Sequence, residues 1–485
     1  MAADPAQGCR EEAESLRDLA LGACDEPEFR RIADAARAVA ARPDLGSVAA
    51  ERELDRLSLA LRGALIDRGH RYADPHFRSP EFGADRPLPS GGGVGFIYER
   101  GATAVGLEDR LAAATPAPPG WHADHVIFNS GMAAISCALQ GYRSIVRPSA
   151  AAPLRVGVWA SYYETDILFG LTKTEAFRLE RLSDPVQAVA AGGLDVLYLE
   201  PVRYDWDLTP MDVDGFTRAW RTGAEDRPRV IVLDTTLSSC SWPTAEFLRA
   251  VGGDGPTLVV ELRSALKLDQ QGLELANAGV ASIYSRDADP ETGVPDARLY
   301  GQFLRVTRSV TGTALSMDAM AVLDHGFVFD PEWTRRHAGR VFGNNRRLAA
   351  ATAGLDGIFA RVGHPSLAPA GALRDAPFVM FQLAEDTRDN HAFLLGLIGA
   401  EVAGRGLPMA WGASFGFRAH RWETIFPQGS RKGLFKVAMG ARSGPSADAA
   451  VALLHRLAGY PDFDRLRRDH PDVKPVALTP DGRPA

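Results

Sequence analysis

The sequence predicts an α/β fold: a large domain with a mostly parallel sheet flanked by helices, a smaller C-terminal α+β domain, and a helical N-terminal extension. Three observations predict it. Between about residues 96 and 309, short apolar runs alternate with helical stretches, and strands joined by a helix's worth of chain run parallel. Residues 11–71 are rich in Ala, Leu, Arg and Glu at helical spacing. After about residue 330, a long helical stretch leads into a second, shorter alternation.

The extension and its connector occupy residues 1–95. Its helical character lies in FRRIADAARAVAA and ERELDRLSLALRGALIDRG, interrupted around Pro43 to Gly46. Residues 72–95 are dense in Pro, Gly and Asp and read as irregular chain. The GGGVG run there lacks the strand, spacing and acidic partner of a dinucleotide-binding fingerprint. The large domain, 96–330, draws strands from HVIFN, RVGVWAS, LDVLYLEP, RVIVLD and TLVVEL. PEWTRRHAGRVFGNNRRLAAATAGL is a long helix that carries the chain out of that domain. The second domain, 331–470, continues with PFVMFQLA, HAFLLGLIGAEVAG, LFKVAMGA and ADAAVALLHRLAG, and residues 471–485 read as a polar, loose tail.

A chain of 485 residues, 46% hydrophobic and 24% charged, has room for two or three globular domains. The net charge of −7 offers no field for a nucleic-acid backbone, so nucleic acid is not an expected partner. Cys9, Cys24, Cys137 and Cys240 lie far apart with no CxxC pair, which argues against a zinc site or a disulfide framework; no metal is expected. The N-terminal stretch has no apolar core of a signal peptide, and no run of about eighteen apolar residues occurs. A cytoplasmic protein without membrane contact is the expectation.

In an open α/β sheet, ligands sit beyond the carboxyl ends of the strands, so the side chains just past each apolar run carry the chemistry. After HVIFN come Ser130, Gly131 and Met132 and a helix start, whose free N–H groups suit an anion; an ordinary capped helix would look the same. After RVGVW come Tyr162 and Tyr163, suited either to core packing or to stacking on a flat ring. Asp234 ends RVIVLD, where a carboxylate must be paired, by a neighbouring loop or by a protonated ring nitrogen. RSALKLDQQG follows TLVVEL and sets Lys267 three residues after Ser264. Upstream, Tyr98 and Arg100 precede a helix in GFIYERGATAVGLEDRLA.

Taken together, these segments resemble the cystathionine γ-synthase, cystathionine γ-lyase and methionine γ-lyase group, the Cys/Met-metabolism branch of fold type I pyridoxal phosphate enzymes. YER resembles the family's Tyr-x-Arg, SGMAA its phosphate turn, YYET its tyrosine-glycine-glycine-threonine stretch, DTT its Asp-Asn-Thr, and SALK its Ser-x-Thr-Lys. The segments also follow the family's order, and the resemblance runs from about residue 96 onward. The N-terminal helical segment is longer than in typical members.

The resemblance implies pyridoxal 5′-phosphate as cofactor, with Lys267 as its covalent holder and proton shuttle. Asp234 would pair with the pyridine nitrogen, and Tyr162 would stack on the ring. Gly131, Met132, Ser264 and Arg100 would hold the phosphate. Tyr98 and Arg100 would reach into a neighbouring subunit's site, making a two-fold homodimer the minimal active unit, with a tetramer also consistent. By the same resemblance Tyr98 would also take a proton from the incoming substrate amine or assist the leaving group.

Two departures bear on the reaction. Leu266 stands where the family has a phosphate-binding Thr, and Lys436 of LFKVAMGAR stands where an arginine grips the substrate carboxylate. A lysine is a point charge rather than a planar fork, so Arg442, Arg418 and Arg421 are further candidates for that carboxylate. The implied activity is γ-elimination or γ-replacement on an L-amino acid with a γ-leaving group, with a substrate other than that of the housekeeping enzymes, as in bacterial specialised metabolism. β-Elimination or an aminotransferase-like reaction on the same residues, and a catalytically decayed cofactor-binding dimer, are the alternatives.

Overall fold

The computed structural model describes residues 4–75, 87–95, 98–142, 153–172, 177–223, 227–252, 258–286, 294–368, 373–427 and 432–479. Part of the connector expected at 72–95 and the end of the tail lie outside the described residues. Three helices open the chain: α1 (Pro5–Ala23), α2 (Pro27–Ala40) and α3 (Val48–Ala73). Asp4 caps α1 by accepting the Ala6 N–H, with Pro5 at the first helical position, and Ser47 caps α3 through the Ala50 N–H. Their apolar stripes bury Leu16, Phe29, Ile32, Leu54 and Leu61 in one cluster with Leu273, Phe327 and Phe329 from the body of the protein.

The body follows as α4 (Val105–Ala114), β1 (His122–Phe128), α5 (Gly131–Gly141), β2 (Leu154–Trp159), α6 (Tyr163–Thr172), β3 (Phe177–Arg181), α7 (Pro185–Ala191) and β4 (Val196–Leu199). It continues through α8 (Val213–Thr222), β5 (Val230–Asp234), α9 (Thr244–Val251), β6 (Leu258–Ser264), β7 (Gly279–Ser285), α10 (Ala297–Thr311) and α11 (Met317–Leu323). Its strands form one seven-stranded sheet in the order β1-β7-β6-β5-β4-β2-β3. All neighbours are parallel except β7, which runs against both β6 and β1. Two reversals restore direction, so β1 points the same way as β2, β4, β5 and β6. The segments that follow these five strands therefore meet at one edge of the sheet. Val126, Val158, Val260 and Ile283 pack one face against Tyr300 and Leu304 of α10, and Leu197, Ile231 and Val259 pack the other against Phe216 and Phe247 of α8 and α9.

The rest is α12 (Pro331–Thr352), β8 (Phe359–Gly363), β9 (Val379–Leu383), α13 (Arg388–Arg405), β10 (Met409–Trp411), β11 (His420–Ile425), β12 (Leu434–Ala438), α14 (Pro445–Ala458) and α15 (Phe463–Asp469). The strands make a five-stranded sheet, β10-β11-β12-β9-β8, covered by α13 and α14. The tail expected to be loose is partly docked: Val473, Val476 and Leu478 pack on this core, and the Val476 N–H donates to Ala392 O. No helix among the described residues is long and apolar enough to cross a membrane.

The N-terminal helices are fastened to the C-terminal region by buried charge as well as by apolar contact. Glu12 of α1, fully buried, accepts two hydrogen bonds from Arg418, at 2.8 and 2.9 Å, and one from Arg340 of α12 at 3.0 Å. Burial alone would raise the Glu12 pKa; the charges of Arg418 and Arg340 overcome it and hold the carboxyl well below the usual range. Glu51 of α3 accepts the N–H and hydroxyl of Ser446 at the start of α14, and Asp55 accepts from Arg442 at 3.1 Å. Removing one member of such a pair leaves an uncompensated buried charge. Glu12→Ala should therefore lower unfolding free energy by about 3 kcal/mol, measured by urea denaturation, while Asp34→Ala at the exposed Arg37 pair should change it by less than about 1 kcal/mol. An unchanged midpoint for Glu12→Ala would show that the clamp contributes nothing. Because the pKa is depressed in the folded state, this contribution is complete above the ordinary carboxylate range and is lost as pH falls below it.

Candidate active site

The common edge of the large sheet encloses a cavity of about 430 Å³. Its wall brings together Ser130, Gly131 and Met132 from the start of α5, Tyr162 after β2, Asp234 ending β5, Ser264 ending β6, Lys267, and Lys436 from β12. Eight residues singled out from scattered parts of the sequence thus share one space.

Lys267 is held by a braced loop. Arg263 pairs with Asp269 at 3.1 Å, and the Gln270 amide donates to Ala265 O and Ala276 O while its oxygen accepts the N–H groups of Leu275 and Ala276. Gly272 closes the turn at a φ of +69°, where a Cβ would lie 2.8 Å from the Phe417 backbone. Arg418, already clamped by Glu12, donates to Gln271 O at 3.0 Å, so the extension braces the lysine loop from behind. The Lys267 ammonium donates to Ser264 Oγ at 2.9 Å and stands 5.0 Å from the centre of the Phe415 ring. Its pKa is lowered to about 8, first by enclosure away from water and then by the Lys436 charge, with Asp234 and Glu164 pulling the other way.

The α5 terminus lies against β6 so closely that a Cβ at Gly131 would approach Ser264 to 3.1 Å. Ser130 caps the helix through the Ala133 N–H at 3.1 Å, so the capped-helix alternative also holds. Asp234 accepts the Thr236 N–H at 3.0 Å and the Tyr198 hydroxyl at 3.4 Å, and has no ion-pair partner among the described residues. Enclosure raises its pKa, against the opposing hydrogen bonds of Thr236 and the charge of Lys267. Tyr162 packs its ring 5.1 Å from Tyr163 and 5.4 Å from Tyr204, with its hydroxyl donating to Glu164 at 2.7 Å. Leu266 also lines the cavity, without a hydroxyl to offer.

Several expected residues lie elsewhere. Tyr98 and Arg100 stand on an exposed turn beside α10, with the guanidinium 5.0 Å from the centre of the Tyr98 ring, outside this chain's own cavity. The arginines considered as carboxylate anchors are also absent from its wall. Arg442 is buried and bound to Asp55, Arg418 to Glu12, and Arg421 to Glu274 at 2.7 Å, because the extension and the lysine loop claim all three. Lys436 does reach the cavity, but it is ion-paired with Glu423, its cross-strand neighbour on β11, and donates to the Tyr204 hydroxyl at 3.2 Å. Burial lowers its pKa, opposed by Glu423.

Four further titratable wall residues escaped sequence reasoning: Glu164, Glu200, Tyr204 and Glu423. Glu200 is buried just past β4 and accepts the N–H groups of Ser161, Tyr162 and Tyr204, each at 3.0 Å, tying both tyrosine segments together. Burial, then the Asp234 charge, raise its pKa to about 7. Its signal was present, since LDVLYLEP ends an apolar run on a carboxylate as RVIVLD does.

The Lys436 pair gives a direct test. Lys436→Met strands the Glu423 carboxylate and should cost about 3 kcal/mol of stability, and adding Glu423→Gln should recover most of it. Additive losses in the denaturation cycle would rule out the pairing.

No family model matches the chain, and no curated protein matches it. Solved structures do. The methionine γ-lyase CalE6 of Micromonospora echinospora, solved in its apo form, superposes at a TM-score of 0.53 with 20% identity, over 82% of this chain and 99% of its own. Cystathionine γ-synthase of Xanthomonas oryzae pv. oryzae, solved with cystathionine, gives 0.53 and 18%, over 82% and 98%. Cystathionine γ-lyase of Lactobacillus plantarum, solved with L-serine, gives 0.53 and 16%, over 82% and 98%. At these identities the likeness is one of architecture, and the architecture is that of the fold type I pyridoxal phosphate-dependent enzymes.

Proposed function

We propose that the protein is a pyridoxal phosphate-dependent enzyme that catalyses γ-elimination or γ-replacement on an L-amino acid carrying a γ-leaving group. The observation that carries this reading is Lys267: a lysine of lowered pKa, on a braced loop, sharing one cavity with an enclosed carboxylate and a helix N-terminus. The likeness to γ-lyases and a γ-synthase supports it at the level of the fold.

The residues present fit the cofactor. Asp234, with no cation of its own among the described residues, suits a protonated ring nitrogen. The bare Gly131 leaves the α5 N-terminus open to a phosphate, which the N–H groups of Gly131 and Met132 and the Ser264 hydroxyl would hold. Lys267 would bind the aldehyde through Nζ. Tyr98 and Arg100, exposed outside their own cavity, would complete a second copy's site, which makes a homodimer the active unit.

Bound there, the cofactor supplies an aldehyde that captures amines and a ring that withdraws electrons from the substrate's α-carbon. The chain's own groups move the protons. Lys267, released from its covalent role, accepts the α-proton at Nζ and takes or returns protons at the β-carbon. Ser264 orients that amine through the 2.9 Å hydrogen bond. Tyr162 limits the tilt of the reacting plane, and Glu200 fixes the backbone that carries it. Phe415 and Tyr204 exclude water beside Lys267 and Lys436, which favours proton return over hydrolysis. Lys436, shared with Glu423, receives the substrate carboxylate.

Protein loaded with pyridoxal phosphate, reduced with borohydride and digested should carry the pyridoxyl group on the peptide containing Lys267 and lose it in Lys267→Ala. No adduct on that peptide would overturn the reading. The uptake rate should rise with pH about a midpoint near 8, because only the neutral amine reacts; a midpoint near 10.5 would mean that the lysine is not enclosed as described. Incubation with amino acids bearing γ-leaving groups, with and without a thiol, then separates elimination, which gives ammonia and an oxo acid, from replacement, which retains the thiol. Products from β-substituted substrates alone would select β-elimination instead.

A further inference from the structure

The cavity wall carries more acidic groups than amines. Glu164, Glu200, Asp234 and Glu423 face it, against the two amines Lys267 and Lys436; no arginine or histidine lines it among the described residues. Most of these acids are matched. Glu423 is neutralised by Lys436, Glu200 accepts three backbone N–H groups, and Asp234 is assigned above to a ring nitrogen.

Glu164 is different. Its oxygens accept the hydroxyls of Tyr162 at 2.7 Å and Tyr163 at 3.2 Å, and no cation lies within 4.0 Å of it among the described residues. It is half-buried, where a charge is screened less than on an open surface. Its field reaches the reacting lysine: after the dominant effect of enclosure, Glu164 is among the charges that act on Lys267. Glu164 lines the same cavity as the Lys436 and Glu423 pair, and the rings of Tyr162, Tyr163, Tyr204 and Phe415 line it too. Aromatic faces beside an unmatched carboxylate favour a cation and disfavour an anion.

We propose that Glu164 is a specificity-determining residue, and that the substrate is an amino acid whose side chain bears a positive charge, received between the Glu164 carboxylate and the tyrosine wall. The inference rests on the reading of the cavity as the amino-acid site of a pyridoxal phosphate enzyme. A neutral side chain gains nothing from Glu164, and an anionic one meets it with no unshared cation nearby.

A matched series tests this by calorimetry on the cofactor-loaded protein: L-ornithine, L-norleucine and L-2-aminoadipate, which end the same carbon chain in an ammonium, a methyl and a carboxylate. Ornithine should bind about tenfold more tightly than norleucine, as one charge-assisted contact warrants, and aminoadipate more weakly than either. In Glu164→Gln the gap between ornithine and norleucine should shrink to about twofold, while Glu164→Asp should keep the preference. Equal affinities of the unmutated protein for ornithine and norleucine, or a full gap surviving in Glu164→Gln, would overturn the proposal. The order of the three ligands in the unmutated protein decides the matter even if a variant fails to fold. Protein that takes up no cofactor at Lys267 refutes the function proposed above; protein that is loaded there but blind to side-chain charge refutes only this inference.

Discussion

An amine enclosed at the carboxyl edge of a parallel sheet sets the terms for the groups around it. Drawing Lys267 out of bulk water penalises its charged form, and the wall answers with acids on one side and a second lysine on the other. The balance leaves a nitrogen that is partly neutral near physiological pH, which amine chemistry requires. The sheet makes this possible because six strands of one direction deliver their following segments to the same edge, so groups distant in sequence converge without long loops.

Rigidity around that amine comes from an unexpected quarter. The Lys267 loop is braced internally by Gln270 and the Arg263 pair, and externally by Arg418, which is itself oriented by Glu12 of the first helix. The extension thus belongs to the scaffold of the cavity, although none of its described residues lines the wall. The same arrangement explains why three arginines near Lys436 in sequence do not line the cavity: each already satisfies a carboxylate.

What could be read in the sequence followed a simple physical rule. Strands deep in a sheet are short apolar runs, and a polar residue just past such a run sits at the sheet's carboxyl edge; this places Asp234, Ser264 and Lys267 on the cavity. The rule reached Glu200 equally well but was not applied to it. Strand β7 was missed because GVASIYS mixes small, polar and aromatic residues and has no helix directly before it. Strand β11 was missed because HRWETI reads as polar, and with it went the Glu423 partnership of Lys436, which only the cross-strand register reveals. The Glu12 and Arg418 pairing lies beyond any local signal, and nearness in sequence does not tell that the Arg442 side chain pairs with Asp55 of the extension.

The contact between Glu12 and Arg418 spans 406 positions of chain. During synthesis the first helix emerges long before its partner exists. At roughly 5 to 20 residues per second, the ribosome needs roughly 20 to 80 s to deliver the arginine. For that interval a carboxylate destined for the interior waits without its partner. The apolar stripes of α1 to α3 are covered sooner, by Leu273, Phe327 and Phe329 of the body, so the nascent protein passes through a stage in which the helices are docked by apolar contact alone and the buried acid is still unmatched, a natural point for chaperone capture.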